Sequence, residues 1–68
     1  MKQIDARGLA CPEPVILVRK GISENPEGLQ VLVDNAAARE NIKRFASARS
    51  YTVQVTEDKG EYTLTLQK

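Results

Sequence analysis

The strand-like segments of this chain are apolar on one face and polar on the other, and this pattern constrains the fold most. Apolar residues recur at every second position in three segments: Leu29, Val31 and Val33; Tyr51, Val53 and Val55; Tyr62, Leu64 and Leu66. The opposite faces are nearly all polar: Gln3, Asp5, Gln30, Thr52, Gln54, Thr63, Thr65 and Gln67. A sheet covered on both sides would be apolar on both faces. The pattern therefore predicts a sheet with its second layer on one side only.

Helical periodicity supplies that second layer. One helix is predicted from Pro12 to about Glu24 and another from Ala36 to about Arg49, the latter capped by Asp34 or Asn35. Its buried stripe would be Ala38, Ile42 and Phe45. Residues 2–6 form a short first strand with Ile4 and Ala6 on one face, and "DKG" at positions 58–60 predicts a hairpin between the last two strands. The predicted fold is α/β (α+β): a βαβαββ two-layer sandwich, a four-stranded mixed sheet with two helices on one face.

Length and charge restrict the function classes. The 68 residues suffice for one small domain, residues 1–68. A net charge of +1 predicts no strong bulk attraction to nucleic acid or membrane. The longest apolar run, Val15 to Val18, is far too short to span a bilayer, and "MKQIDARG" has no apolar signal-peptide core. We therefore expect a cytoplasmic protein with no membrane partner.

The only cysteine, Cys11, lies where the first strand's connection meets the first helix. Pro12 suits a first helical position, because its missing N–H would have no partner there, and Pro14 still falls in the first turn. Cys11 is then predicted to be the N-cap, with its sulfur near the positive end of the helix. Arg7 would add positive charge if the loop folds back, whereas Glu13 opposes it. We expect a modestly lowered thiol pKa.

The residue types that the sequence lacks restrict the reactions that Cys11 could perform. The chain has no histidine for a Cys–His pair and no second cysteine for a redox couple. A lone thiol without neighbouring ligands does not hold zinc, so no metal is expected. Two interpretations remain: a nucleophile that accepts a group and passes it on, or an inert small hydrophobe that merely caps a helix.

The segment "DARGLACPEP", residues 5–14, resembles the TusA/SirA-like sulfur-carrier family. The match rests on Asp5, Gly8, Leu9, Cys11, Pro12 and Pro14, a short strand followed by a Cys-Pro-x-Pro helix start. The resemblance extends over the whole chain in length and element order. A second segment, "VDNAAARENIKRFA", is similar to the N-terminal carrier domain of YedF-type proteins, which are associated with selenium metabolism and often carry a second domain.

The resemblance implies that Cys11 carries sulfur as a transient covalent persulfide, with no other cofactor. It implies a cysteine-desulfurase-type donor and a downstream acceptor protein, in a sulfur relay such as tRNA thiolation. The chain would then be a sulfurtransferase-type carrier, and either sulfur or selenium could be its cargo. Around Cys11, the candidates for shaping the site are Asp5, Arg7, Gly8, Pro12, Glu13 and Pro14.

A docking surface is predicted on the first helix. Ile16 lies on its polar side beside Arg19 and Lys20, one turn past the cysteine. An apolar anchor rimmed by charge is typical of partner recognition. The two helices carry six basic residues against three acidic ones, which fits either an ordinary solvated face or an acidic partner. The rival functions are an interaction module without persulfide chemistry and a basic RNA-binding domain; direct nucleic-acid binding is disfavoured because no aromatic residue is interleaved with the basic ones.

Overall fold

The computed structural model describes residues 2–10 and 12–68 and has the predicted element order. Strand β1 is Gln3–Asp5, helix α1 is Glu13–Glu24 and strand β2 is Gly28–Val33. Helix α2 is Ala36–Ala48, and strands β3 and β4 are Thr52–Asp58 and Glu61–Gln67. The four strands form one mixed sheet in the order β1-β2-β4-β3, in which β1 is parallel to β2 and the other neighbours are antiparallel. The α+β class and the two-layer architecture are thus confirmed.

The core lies between the helices and one face of the sheet. In register, Ile4 of β1 is opposite Val31, Val31 is opposite Leu64, and Leu64 is opposite Val55. Val31 and Leu64, on the two central strands, are fully buried, and so are the helix residues Val18 and Ile42. Because the buried strand residues share the face of the sheet that the helices cover, the apolar alternation predicted the correct side for the helices.

Position within the sheet determines burial more than strand pattern does. Val55 was predicted in a buried row, but 36% of its surface is exposed, and Val53 is only half-buried. Both belong to β3, which is an edge strand and therefore has a neighbour on one side only.

On α2 the residue Phe45, predicted to be buried, is half-buried, while Ala46 is fully buried. The small Ala46 side chain therefore belongs to the core, and the Phe45 ring lies at its margin, where Arg49 stacks on it at 4.1 Å.

Specific hydrogen bonds and backbone angles define the turns on either side of β2 and the β3–β4 hairpin. Asn35, one of the two predicted caps, accepts a hydrogen bond from the Ala38 N–H at 2.8 Å and begins α2. At the other end of the sheet Tyr51 is buried and its hydroxyl donates to the Pro26 carbonyl at 2.6 Å. The β3–β4 hairpin turns at Lys59 and Gly60, both with positive φ, as a two-residue loop of the primed type requires.

Candidate functional site

Helix α1 begins one residue later than the sequence predicts. Its N-cap is Pro12 and its first helical residue is Glu13, so Pro12 is not the first helical position and Cys11 is not the N-cap. Cys11 itself lies outside the described residues. Its sequence neighbours Ala10 and Pro12 are both exposed. The chain therefore runs along the surface on either side of the cysteine.

The first turn of α1 offers few backbone donors. Pro12 and Pro14 have no N–H, and the Glu13 N–H donates to the Ala10 carbonyl at 2.9 Å. The Ile16 N–H donates to the Pro12 carbonyl at 3.1 Å, closing the first helical turn. Pro14, in the same turn, is buried. The N–H groups of Glu13 and Ile16 are thus already engaged, and the helix dipole favours an anion at this terminus.

Arg7 crosses the end of the sheet instead of adding a free charge to the helix start. Its guanidinium makes a bidentate pair with Asp5, at 2.9 Å from Nε and 2.8 Å from Nη2, and a further pair with Glu61 at 3.2 Å. Asp5 alternates with the core residues Ile4 and Ala6, so this cluster lies toward the open face of the sheet. One positive charge between two carboxylates leaves no net positive contribution.

The same contacts set the titration of the pair. The hydrogen bonds from the Arg7 side chain and backbone lower the pKa of Asp5 from 3.8 to about 2. The Asp5 carboxylate in turn raises the pKa of Arg7 above its ordinary value. Both groups are solvent-exposed, so the pair orders the loop more than it stabilises the fold.

Gly8 connects the cysteine loop to the second helix. Its φ of 78° lies in the left-handed region, where glycine is favoured, and its N–H donates to Asp34 Oδ2 at 2.9 Å. The other oxygen, Asp34 Oδ1, accepts from the Asn35 side chain at 3.2 Å, and Asn35 caps α2. The loop before Cys11 is therefore held by three carboxylates: Asp5 at the end of β1, Asp34 just after β2, and Glu61 at the start of β4.

The predicted docking residues form one exposed patch on α1. Ile16 is 49% exposed, and Arg19 and Lys20 are exposed at three and four positions further along the same helix. Among the described residues the exposed large hydrophobic side chains are Ile16 and Val55, and Ile16 is the more exposed of the two. The patch begins one turn after the helix start that follows Cys11.

Sequence reasoning missed two residues of this site. Asp34 was considered only as a helix cap, whereas it accepts the hydrogen bond from Gly8. Glu61 is 54 positions from Arg7 in the chain, and nothing local indicates their pairing. The parallel β1–β2 pair and the β4 neighbour bring these carboxylates to the end of the sheet where the cysteine loop begins.

Within residues 2–10 and 12–68 no three His, Cys, Asp or Glu side chains are grouped as a metal ion would require. Neither helix in this part of the chain has the length and apolar character needed to cross a bilayer.

Comparison with known proteins gives a consistent result. The family described as Sulfurtransferase TusA matches residues 2–68. A Methanocaldococcus jannaschii protein named "Putative sulfur carrier protein" is 45% identical over 60 residues, 85% of this chain and 80% of the relative. An Archaeoglobus fulgidus protein of the same name is 46% identical over 44 residues, 62% of this chain and 57% of the relative. The crystal structure of the SirA-like protein from Desulfitobacterium hafniense has a TM-score of 0.89 at 35% identity, covering 98% of this chain and 96% of that one.

The fold, the cysteine motif and these matches define the class of protein: the chain belongs to the TusA family. Within it the chain is a sulfur carrier, and carriers of this family interact with proteins that donate and accept sulfur.

Proposed function

We propose that this protein carries sulfur as a persulfide on Cys11, loaded by a cysteine-desulfurase-type donor and removed by an acceptor protein in a cytoplasmic relay. The observation that carries the proposal is the sequence Cys11-Pro12-Glu13-Pro14 across the start of helix α1, where Pro12 and Glu13 are exposed, in a chain of the TusA family. The donor and acceptor are the two classes of partner that a carrier requires.

The transfer moves one sulfur atom and changes no overall oxidation state. The Cys11 thiolate attacks the terminal sulfur of a persulfide on the donor, forms a new S–S bond and breaks the donor's S–S bond. The donor cysteine leaves as a thiolate, and the proton lost by the Cys11 thiol is available to it. In the second transfer an acceptor nucleophile attacks the terminal sulfur, and Cys11 leaves as a thiolate.

The surroundings of Cys11 favour such transfer between proteins. The chain has no second cysteine, so an internal disulfide cannot expel the terminal sulfur. The dipole of α1 stabilises an anion near its start, which favours both the thiolate and the persulfide anion. The flanking residues are exposed, as a group that passes between two proteins requires.

The patch of Ile16, Arg19 and Lys20 is the proposed docking surface for at least one partner. Ile16 supplies exposed apolar area, and the two cations border it on the same helix. A partner with an apolar recess and acidic margins complements this patch. Recognition so close to the cysteine brings the donor sulfur within reach of it.

Incubation with a purified cysteine desulfurase and cysteine tests the proposal. Intact-protein mass spectrometry should show a gain of one sulfur atom, reversed by a thiol reductant and absent from Cys11→Ser. A matched Ser23→Cys variant in the Cys11→Ser background places a thiol at the exposed far end of α1 and should load poorly. If wild type keeps its unmodified mass with several donors while iodoacetamide alkylates it readily, the persulfide proposal is wrong.

A further inference from the structure

The outer edge of β3 is the largest unpaired stretch of backbone in the sheet. β3 has seven residues and lies at the end of the strand order, whereas the other edge strand, β1, has three. Unpaired edges of this length pair readily with another strand unless they are covered. Val55, at the midpoint of β3, is one of the two exposed large hydrophobic side chains among residues 2–10 and 12–68.

Hairpin geometry determines which groups of β3 face outward. Asp58 is opposite Glu61 across the two-residue turn, and in such a hairpin this first pair exchanges both of its backbone hydrogen bonds. Even-numbered residues of β3 therefore bond to β4. Val53, Val55 and Glu57 direct their N–H and C=O groups away from the sheet.

We infer that β3 pairs with β3 of a second copy of this chain, antiparallel and with Val55 on the two-fold axis. In this register every outward-facing residue meets another outward-facing residue: Val55 opposite Val55 of the second copy, and Val53 opposite its Glu57. All seven residues of β3 are then paired with no overhang. On the open face, Thr52 lies opposite Asp58 of the second copy and Gln54 opposite its Thr56, so polar side chains meet polar side chains.

Charge favours the antiparallel arrangement over a parallel one. Glu57 and Asp58 lie at one end of β3, next to Lys59 in the turn, so this end has a net negative charge. At the other end Arg49 stacks on Phe45 at 4.1 Å, and Lys68 stacks on Tyr51 at 4.6 Å, which holds two cations beside the start of β3. Antiparallel pairing brings the acidic end of each copy to the basic end of the other. The net charge of +1 per chain adds little repulsion.

The outcome is a continuous eight-stranded sheet, 4 + 4 strands, with the helices of both copies on one side. The α1 patch lies over the β1–β2 half of each copy, at the far side from β3, because α1 contacts β1 and β2. A dimer through β3 therefore leaves both cysteine loops free for their partners. This inference does not depend on persulfide chemistry.

Sedimentation velocity from about 10 μM to about 1 mM protein tests the inference. Wild type should shift from monomer toward dimer with increasing concentration. Val55→Lys places like charges opposite each other at the centre and should weaken self-association about tenfold, whereas Val55→Thr should retain it. Gln3→Lys, the matched change on the other edge strand, should have no effect. Circular dichroism of each variant verifies that the fold is retained.

Charge reversal tests the orientation independently of Val55. A variant with Glu57→Lys and Asp58→Lys, and another with Arg49→Glu and Lys68→Glu, should each dimerise less than wild type. An equimolar mixture of the two should recover dimer, because each altered end then meets an opposite charge. A wild type that stays monomeric throughout the range overturns the inference. So does a dimer that Gln3→Lys disrupts and Val55→Lys does not, or a mixture that fails to recover association when both variants are folded.

Discussion

Replacing Ile16 with aspartate separates a docking role from a core role. Full burial of an isoleucine side chain stabilises a protein by about 1.5–3 kcal/mol, and Ile16 is 49% exposed, so about 1 kcal/mol of burial is lost. An acid this close to the start of α1 regains about 0.3–1 kcal/mol from the helix dipole. The melting temperature of Ile16→Asp should therefore fall by less than about 5 °C for a domain of this size.

The effect on partner binding should be much larger. A partner that covers the exposed half of Ile16 gains about 1 kcal/mol from it, and in the variant it must instead desolvate a carboxylate at a further cost of about 1–3 kcal/mol. The sum predicts about 30-fold weaker binding or more.

Calorimetric titration with a cysteine desulfurase, the class of donor proposed above, measures this loss, and thermal unfolding measures the stability. Ser23→Asp is the matched control, since Ser23 is exposed at the far end of the same helix. Its affinity should stay near that of wild type. Ile16 is a core residue if Ile16→Asp melts more than about 10 °C lower than wild type. Ile16 has no docking role if the affinity of Ile16→Asp equals that of Ser23→Asp.

Three other predictions concern the turns and the cysteine loop. Gly28→Ala combines a φ of 135° with a clash between the added Cβ and a β4 carbonyl, so urea unfolding should show a free energy of unfolding lower by about 3 kcal/mol or more. Gly60 has a φ of 81° but open space around it, so Gly60→Ala should lower the free energy of unfolding by about 1–2 kcal/mol, and equal losses in the two variants would contradict the clash. Arg7→Gln removes the guanidinium that lowers the pKa of Asp5, so the NMR titration midpoint of that carboxyl should rise from about 2 toward 3.8, and an unchanged midpoint would exclude the pairing in solution. In wild type the contribution of the Asp5–Arg7 pair to stability is complete above pH 3.8 and is lost as the pH falls toward 2. Asp34→Ala should speed hydrogen exchange at the Gly8 amide, whose N–H donates to the Asp34 carboxylate in wild type. In Asp34→Asn, which keeps an acceptor oxygen, the Gly8 amide should exchange more slowly than in the alanine variant.

Element type and order were predictable because they depend on local periodicity. Apolar residues at every second position predicted the buried faces of β2 and β4 correctly, and apolar residues at every third or fourth position predicted the helices. The polar residues on the opposite faces of the strands indicated that one layer covers the sheet. The helix start was wrong by one residue, since two nearby prolines each suit the first turn. The cysteine motif was recognisable because its residues are contiguous.

Strand order and the contacts that depend on it could not be predicted from local patterns. The alternation in β3 is as regular as that in β4, yet Val55 is partly exposed and Leu64 beside it is buried, because β4 is inserted between β2 and β3. The Arg7–Glu61 pair likewise requires β4 to be close to the end of β1. By itself the sequence determined which segments form helices and strands, which face of each is apolar, and where the Cys-Pro-x-Pro motif lies, since these follow from neighbouring residues. Only the tertiary structure decided which strand has a free edge and which carboxylates hold the loop before Cys11, since these depend on residues up to 54 positions apart.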